Sequence, residues 1–168
     1  AIPHMKQNGG SIIVTSSING SRKFSSFGMS AYSTSKAGQV AFAKMAALEL
    51  ARYRIRVNVI CPGAIRTNIE ENTFRSPELK KIEIPVEYPQ GSQPLEHAPG
   101  EPEQVADLVL FLASDESSHI SGTEIFIDGA ESFSDRSLCQ KNIIHSHVDI
   151  RTQAEHEAYA VPAGRLHV

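Results

Sequence analysis

A chain of 168 residues is long enough for one domain with its own core and short for two. Its formal net charge of −3 and sequence pI near 6.2 give no basic surface for nucleic acid or for an anionic membrane. We therefore expect a single soluble unit with no nucleic-acid and no membrane partner.

Cysteine usage indicates the compartment. Cys61 and Cys139 have no close Cys or His neighbours of the spacing found in metal sites or disulfide frameworks. A reducing cytoplasm is the predicted location. No apolar run approaches the roughly 18 to 20 residues that span a bilayer, and the first residues lack a signal-peptide pattern. The chain begins with Ala1 rather than Met, so we expect further sequence upstream.

Three short apolar segments predict β-strands. Residues 11–15 are β-branched and follow a glycine pair, which predicts a strand buried on both faces, as in a parallel sheet. Residues 56–61 end at a Pro-Gly turn, and residues 123–127 end at an Asp-Gly turn. These turns mark where the second and third strands stop.

One helix is predicted between the first two strands, and another is predicted after the second strand. Residues 30–54 lack proline and are rich in good helix formers, which predicts a long helix with Ser30 as its N-cap. A strand, a long helix and a second strand form a βαβ unit. Glu101-Pro102-Glu103 opens another helix, with proline near its first turn. Alternating helices and strands predict the α/β fold class.

The long helix has more apolar residues than one face can hold. Its predicted apolar stripe comprises Ala37, Val40, Ala41, Met45 and Leu48, and the stripe is widened by Phe42, Ala46 and Leu50. The sheet can cover one side of such a helix. We expect a second subunit or another part of the same protein to cover the other, so a homo-oligomer through the 30–54 helix is predicted.

The remaining segments are polar. Residues 67–99 contain five prolines and suit a mobile segment over a site, with a short helix near Pro77 to Ile82. Residues 130–168 lack periodicity and predict an irregular appendage, which limits the domain to residues 1–129. His145-Ser146-His147 lies in that appendage and is interpreted as solvated, since no further ligand has suitable spacing. No metal site is predicted.

One group of residues carries acid/base chemistry. Ser17 follows the first strand, and Tyr32 and Lys36 lie four residues apart near the start of the long helix. That spacing puts both side chains on one helix face, where the ammonium favours the phenolate form of the tyrosine. A phenol so assisted can give a proton to a carbonyl oxygen, and Ser17 can donate a second hydrogen bond to that oxygen. The group meets the needs of hydride transfer with a nicotinamide cofactor.

These residues, together with their neighbours, resemble the short-chain dehydrogenase/reductase family over roughly Pro3 to Gly129. The Ser-Ser pair after a strand, the Tyr-x-x-x-Lys helix, the Asn-x-x-x-Pro-Gly turn and the closing strand before Asp-Gly occur in the family's order. The resemblance implies a partial Rossmann-like, doubly wound parallel sheet, truncated on its N-terminal side. It also implies an NAD(P)-dependent oxidoreductase acting on a small-molecule carbonyl or secondary alcohol.

The resemblance also implies roles for single residues. Ser17 would position the substrate oxygen, Tyr32 would act as the acid/base, and Lys36 would assist Tyr32 and hold the nicotinamide ribose. Further along, Pro62 and Gly63 would lie against the nicotinamide. The Ile65 backbone would then meet the carboxamide, and Thr67 would contact the carboxamide or the phosphates.

Two departures from the family pattern leave questions open. No glycine-rich phosphate-binding loop occurs among the eleven glycines. In the family, the choice between NAD and NADP depends on a residue after the second strand of the full sheet, which lies outside this chain, so the sequence does not choose between them. The family's catalytic Asn, expected upstream of the first strand, is absent with that loop. The tail after Gly129 is the second departure, because members of this family commonly stop near their Asp-Gly turn. An inactive fragment that serves only as an oligomerisation or interaction module is therefore the alternative hypothesis. A hydrolase with Ser17 as nucleophile is disfavoured, because no Gly-x-Ser-x-Gly elbow is present.

Overall fold

The computed structural model describes residues 1–24, 27–73, 76–82, 86–88, 91–134 and 137–138. In chain order the elements are α1 (Ile2–Met5), β1 (Gly10–Thr15), α2 (Ser30–Leu50), β2 (Ile55–Pro62), α3 (Leu79–Ile82), β3 (Val86–Glu87), α4 (Pro102–Ala113), β4 (Glu124–Ile127) and β5 (Ser137–Leu138). Helices alternate with strands, which confirms the α/β class.

The main sheet has three parallel strands in the order β1-β2-β4. In its register Ile12 lies opposite Val57, and Ile60 lies opposite Ile125. The short strands β3 and β5 form a separate antiparallel pair. The open parallel sheet with a long helix between its first two strands confirms the predicted partial Rossmann-like architecture.

The three strands lie where the apolar pattern predicts, and no end is shifted by more than one residue. Burial on both faces holds for β2, the central strand, where Val57 and Val59 on one face and Asn58 and Ile60 on the other are almost fully buried. It is wrong for β1, whose four inner residues are only partly buried. The reason is position, because β1 forms one edge of the sheet in the described part of the chain.

The helix α2 is shorter than predicted. It ends at Leu50 and continues as a 3₁₀ turn, Ala51–Tyr53, before Arg54 adopts the left-handed conformation with φ 57°. That conformation stops the helix and turns the chain into β2. The predicted N-cap is wrong by one residue: Met29 occupies the N-cap position and has no capping side-chain hydrogen bond.

One face of α2 packs against β2 to form the core. The helix contributes Val40, Ala43, Ala46, Ala47 and Leu50, and the strand contributes Ile55, Val57, Val59 and Cys61. The predicted stripe is wrong in its orientation, because Val40 is buried whereas Met45 and Leu48 are 56% and 74% exposed. Phe42, at 66% exposed, lies on the same uncovered side. Apolar residues on both sides of the helix make its orientation unreadable from periodicity.

The helix α4 covers the sheet from the side of β1. Its residue Leu112 is fully buried. Arg56 on β2 donates hydrogen bonds to the carbonyl oxygens of Leu112 and Ser114, at 2.8 and 2.9 Å, and so caps the end of the helix. At the other end, Gln104 Oε1 accepts the Glu101 N–H at 2.8 Å, and the helix begins where predicted.

The polar segments contain short regular pieces. The helix α3 lies within the range predicted near Pro77 to Ile82. In the predicted appendage, Glu131–Phe133 forms a 3₁₀ turn and β5 pairs with β3. The two histidines of the sequence His145-Ser146-His147 fall outside the described residues. None of the helices in the described ranges is long and apolar enough to cross a membrane.

Candidate active site

The candidate site lies where the three parallel strands end. Beyond β1, the Ser16 N–H donates to the Ile60 carbonyl oxygen at 2.8 Å. Beyond β2, the Gly63 N–H donates to the Ile127 carbonyl oxygen at 3.1 Å. These bonds continue the pairing past the strand ends, so the segments after β1, β2 and β4 lie together at the carboxyl ends of the strands. Open α/β sheets bind ligands at this end.

Ser17 is buried at the first of these strand ends. It is 8% exposed, has extended backbone angles and precedes the 3₁₀ turn Ile18–Gly20. Its Oγ accepts the Asn19 N–H at 3.2 Å. A hydroxyl that accepts a hydrogen bond keeps its own proton for donation. Ser17 is therefore fixed by its turn and still able to donate.

Lys36 joins the start of α2 to the end of β1. Its Nζ donates to the Thr15 carbonyl oxygen at 3.1 Å and lies 5.6 Å from the centre of the Tyr32 ring. Ser16 Oγ in turn donates to the Lys36 carbonyl oxygen at 2.9 Å. The structure thus brings the Tyr32 and Lys36 side chains together, next to the strand end that carries Ser17.

Gly20 makes this close approach possible. A Cβ atom on Gly20 would lie 2.9 Å from Ser16 Oγ and 3.0 Å from the Lys36 carbonyl carbon. Any other residue would push the segment after β1 away from α2. Ser16 and Gly20 were not singled out from the sequence, although both stand in the motif around Ser17.

The turn after β2 presents one backbone unit on its outer side. Ile65 forms a parallel bridge with Gly100, in which Gly100 N–H donates to the Ala64 carbonyl oxygen and Arg66 N–H donates to the Gly100 carbonyl oxygen. Because alternate peptide groups point to opposite sides of an extended chain, the N–H and C=O of Ile65 face away from Gly100. They form a donor and acceptor pair at the strand edge.

Pro62 and Thr67, both predicted to contact the cofactor, differ in burial. Pro62 closes β2 opposite Ile127 and is partly buried. Thr67 is exposed, and its Oγ1 accepts the Ile69 N–H at 3.4 Å, a bond within its own turn. The structure therefore puts Pro62 at the C-terminal end of the central strand and Thr67 on the surface beyond it.

A buried ion pair beside the site was not predicted. Lys23 Nζ donates to Glu131 Oε1 at 2.8 Å, and Glu131 Oε2 accepts the Ala64 N–H at 2.6 Å. The two charged side chains are 9% and 11% exposed. Sequence spacing gives no sign of this contact, because its partners are 108 residues apart.

Two ionisable groups near the sheet have shifted pKa values. Burial raises the pKa of the Cys61 thiol, which lies at the end of β2, and the charge of Glu124 raises it further. The hydrogen bond from Lys44, at 2.6 Å, lowers the pKa of Glu124 at the start of β4. The first shift keeps a neutral thiol next to the site, and the second belongs to an ion pair between α2 and the sheet.

The residues present fit the nicotinamide end of a dinucleotide. The Lys36 ammonium has three N–H donors, and one of them donates to the Thr15 carbonyl oxygen. The others remain for ribose hydroxyls. The N–H and C=O pair of Ile65 is complementary to a carboxamide, which has both a donor and an acceptor. In the described parts of the chain, no group of three or more His, Cys, Asp or Glu side chains could hold a metal ion.

Comparison with known proteins agrees with this architecture. A family model described as Enoyl-(Acyl carrier protein) reductase matches residues 1–130. The 3-oxoacyl-(acyl-carrier-protein) reductase FabG of Thermotoga maritima is 41% identical over 129 residues, which are 76% of this chain and 48% of that protein. The chain therefore spans about half the length of this curated relative.

Two solved structures resemble this chain in both sequence and fold. A 3-ketoacyl-ACP reductase from Sinorhizobium meliloti 1021 is 46% identical, with a TM-score of 0.72 over 79% of this chain and 52% of that one. A short-chain type dehydrogenase/reductase from Mycobacterium ulcerans is 35% identical, with a TM-score of 0.63 over 80% of this chain and 46% of that one. By sequence and by fold, the chain belongs to the short-chain dehydrogenase/reductase family of oxidoreductases.

Proposed function

We propose that this chain supplies the catalytic part of an oxidoreductase that transfers hydride between NAD or NADP and a small-molecule carbonyl or secondary alcohol. The observation that carries the proposal is the bond from Lys36 Nζ to the Thr15 carbonyl oxygen, which ties the Tyr32 and Lys36 pair to the strand end bearing Ser17. The relatives named as 3-oxoacyl and 3-ketoacyl reductases support a carbonyl substrate.

Each side chain has one task in the proposed reaction. The Tyr32 hydroxyl gives its proton to the substrate oxygen in reduction and takes it back in oxidation. Ser17 Oγ donates a second hydrogen bond that orients the same oxygen. The Lys36 ammonium, held by Thr15, stabilises negative charge on the Tyr32 oxygen after the proton has left.

The cofactor supplies the hydride, and the chain orients it. Lys36 would bind the ribose hydroxyls with its remaining N–H donors. Pro62 and Gly63 would pack against the nicotinamide ring, with the Ile65 N–H and C=O holding the carboxamide and Thr67 beyond them. A cytoplasmic location remains part of the proposal, in keeping with the sparse cysteine content.

A fluorescence titration of the 168-residue chain with NADH and NADPH tests the proposal. Micromolar binding that Lys36→Met abolishes would support it. Lys44→Met is the matched control, because Lys44 lies two turns further along α2 and pairs with Glu124 at the start of β4. No binding of either cofactor would contradict the proposal for this chain.

A second candidate function follows from the uncovered side of α2. Phe42, Met45 and Leu48 are exposed at 56% or more on one helix, an apolar surface that solvent disfavours. We propose that two copies associate through this surface. If the titration finds no cofactor binding and the chain is still oligomeric, the function is that of an interaction module.

A further inference from the structure

Glu131 lies just beyond β4 and holds two partners in a buried environment. Its carboxylate accepts from Lys23 Nζ at 2.8 Å and from the Ala64 N–H at 2.6 Å. Glu131 as a whole is 9% exposed and Lys23 is 7% exposed. Burying a charged carboxylate is costly unless its oxygens accept hydrogen bonds, and both oxygens of Glu131 have a donor here.

The partners of Glu131 come from the two other strand ends. Lys23 lies six residues after Ser17, in the segment between β1 and α2, and Ala64 follows the Pro62-Gly63 turn. One carboxylate therefore links the segments that follow all three strands of the sheet. The link runs between the segment that bears Ser17 and the turn proposed to hold the nicotinamide.

The turn is in direct contact with this carboxylate. A Cβ atom on Gly63 would lie 2.7 Å from Glu131 Oε2 and 2.8 Å from Asp128 Cβ. The absence of a side chain at Gly63 thus lets the peptide approach close enough for the Ala64 N–H to reach Glu131. Neighbouring contacts tighten the same region, since the Arg22 guanidinium lies 3.3 Å from the centre of the Phe126 ring on β4.

Hydrogen bonds hold the peptide groups on both sides of the Ala64 Cα atom. The Ala64 N–H points to Glu131 and its C=O accepts from Gly100 N–H at 2.9 Å, so both polar groups of this residue are committed. Because peptide groups are planar, the bond to Glu131 fixes the Gly63–Ala64 peptide, whereas the two bonds with Gly100 fix the peptides that carry the Ile65 N–H and C=O. Loss of the bond to Glu131 would free the Gly63–Ala64 peptide of the turn to rotate.

We propose that Glu131 is a positioning residue for the nicotinamide end of the site, acting through the Ala64 amide rather than by touching cofactor or substrate. The inference rests on the proposed function, because it assigns Glu131 to the cofactor turn of that site. The ion pair with Lys23 keeps the carboxylate in place. The hydrogen bond to Ala64 is what orients the turn.

A pair of double variants separates these two contributions. Lys23→Met with Glu131→Gln and Lys23→Met with Glu131→Leu both lack the ion pair, but only glutamine offers an oxygen to the Ala64 N–H. We expect the glutamine variant to bind NADH nearly as the unchanged chain does. The leucine variant should bind at least about tenfold more weakly, because a backbone donor loses its partner. Thermal unfolding midpoints of both are measured alongside.

The Ala64 amide gives a readout independent of cofactor. Its ¹H–¹⁵N resonance should move upfield and exchange faster with solvent in the leucine variant, and stay near its original position in the glutamine variant. Lys44→Met with Glu124→Leu is the control, because it removes another ion pair of the same sheet at the opposite end of β4. This control should change neither the Ala64 resonance nor the affinity for NADH.

The possible outcomes are distinguishable. Equal NADH affinity of the glutamine and leucine variants, with the unchanged chain binding normally, would overturn the role of Glu131 and leave the proposed function intact. Failure of the unchanged chain to bind NADH or NADPH would overturn the proposed function and the inference with it. If the leucine variant does not fold, Glu131→Asp against Glu124→Asp repeats the comparison, and equal affinities would again overturn the role.

Discussion

Ser16 Oγ donates a hydrogen bond of 2.9 Å to the carbonyl oxygen of Lys36. Lys36 Nζ reaches back to the carbonyl oxygen of Thr15 at 3.1 Å. These two bonds run in opposite directions between the same two segments, so the end of β1 and the first turns of α2 are held together. Tyr32 and Lys36 therefore lie on a regular helix that is tied to the end of β1, which favours fixed geometry.

Replacing Tyr32 by phenylalanine removes the proposed proton donor and little else. In an active protein that contains this chain, Tyr32→Phe is expected to lower kcat by about 10²-fold or more while NADH affinity stays within about twofold. Carbonyl reduction followed by NADH absorbance, with a parallel binding titration, measures both. Tyr53→Phe is the control, since Tyr53 lies beyond the far end of α2. Unchanged turnover in Tyr32→Phe would remove Tyr32 from its role.

Two glycines near the site predict opposite effects of the same substitution. Gly20→Ala is expected to lower the free energy of unfolding by about 1 to 3 kcal/mol, because its Cβ would meet Ser16 and the Lys36 backbone. Gly38→Ala should raise it by about 0.5 to 1 kcal/mol, because Gly38 lies within α2 with open space around it. Urea denaturation of both variants checks this pair. Equal effects would mean that the approach of β1 to α2 is not tight.

Local pattern predicted the strands, the long helix and the approach of Lys36 to Tyr32 on that helix, because short runs of sequence determine each of them. The grouping of Ser17 with this pair stays a prediction. Local pattern did not predict which side of α2 meets the sheet, since apolar residues occur on both sides. Nor did it predict the partial burial of β1, which depends on the strand's place at the sheet edge.

The contact between Lys23 and Glu131 shows a different limit of sequence reasoning. Charged residues are mostly solvated, and neither of these two stands in a motif. Their burial follows only from the meeting of three strand ends, which brings residues 108 positions apart into contact. A sequence pattern carries no information about such a contact until the register of the sheet is known.

The burial of Cys61 predicts low chemical reactivity. Burial raises the pKa of this thiol, and only the thiolate reacts with alkylating reagents. We expect iodoacetamide at pH 8 to modify Cys61 about 10²-fold more slowly in the folded chain than in urea, as followed by mass spectrometry of its peptide. Similar rates in both conditions would show that the end of β2 opens readily.

The ion pair of Lys44 with Glu124 predicts a pH dependence of stability. The lowered pKa of Glu124 means that its carboxylate stabilises the fold above the ordinary glutamate pKa of about 4.3, and that this contribution is lost as the pH falls through the lower, folded-state pKa. Lys44→Met should therefore cost about 0.5 kcal/mol of unfolding free energy at pH 7, and progressively less as the pH falls below about 4.3.

Lys81→Met provides the control for this pH effect. Lys81 pairs with Glu78 at 2.8 Å, but the two side chains are 71% and 73% exposed, so solvent screens their attraction. Unfolding in urea across the acid range should give equal free energies for Lys81→Met and the unchanged chain. A constant difference between Lys44→Met and the unchanged chain at all pH values would contradict the electrostatic explanation.

The uncovered side of α2 predicts the last effect, on association. Leu48 is 74% exposed on α2, and Leu110 is 70% exposed on α4. The two leucines are therefore similarly exposed but lie on different helices. Leu48→Glu is expected to convert an oligomer to monomers, because a buried charge at an apolar contact is strongly unfavourable. Leu110→Glu should leave the assembly unchanged. Sedimentation velocity distinguishes the two, and dissociation by Leu110→Glu alone would assign the contact to α4 instead.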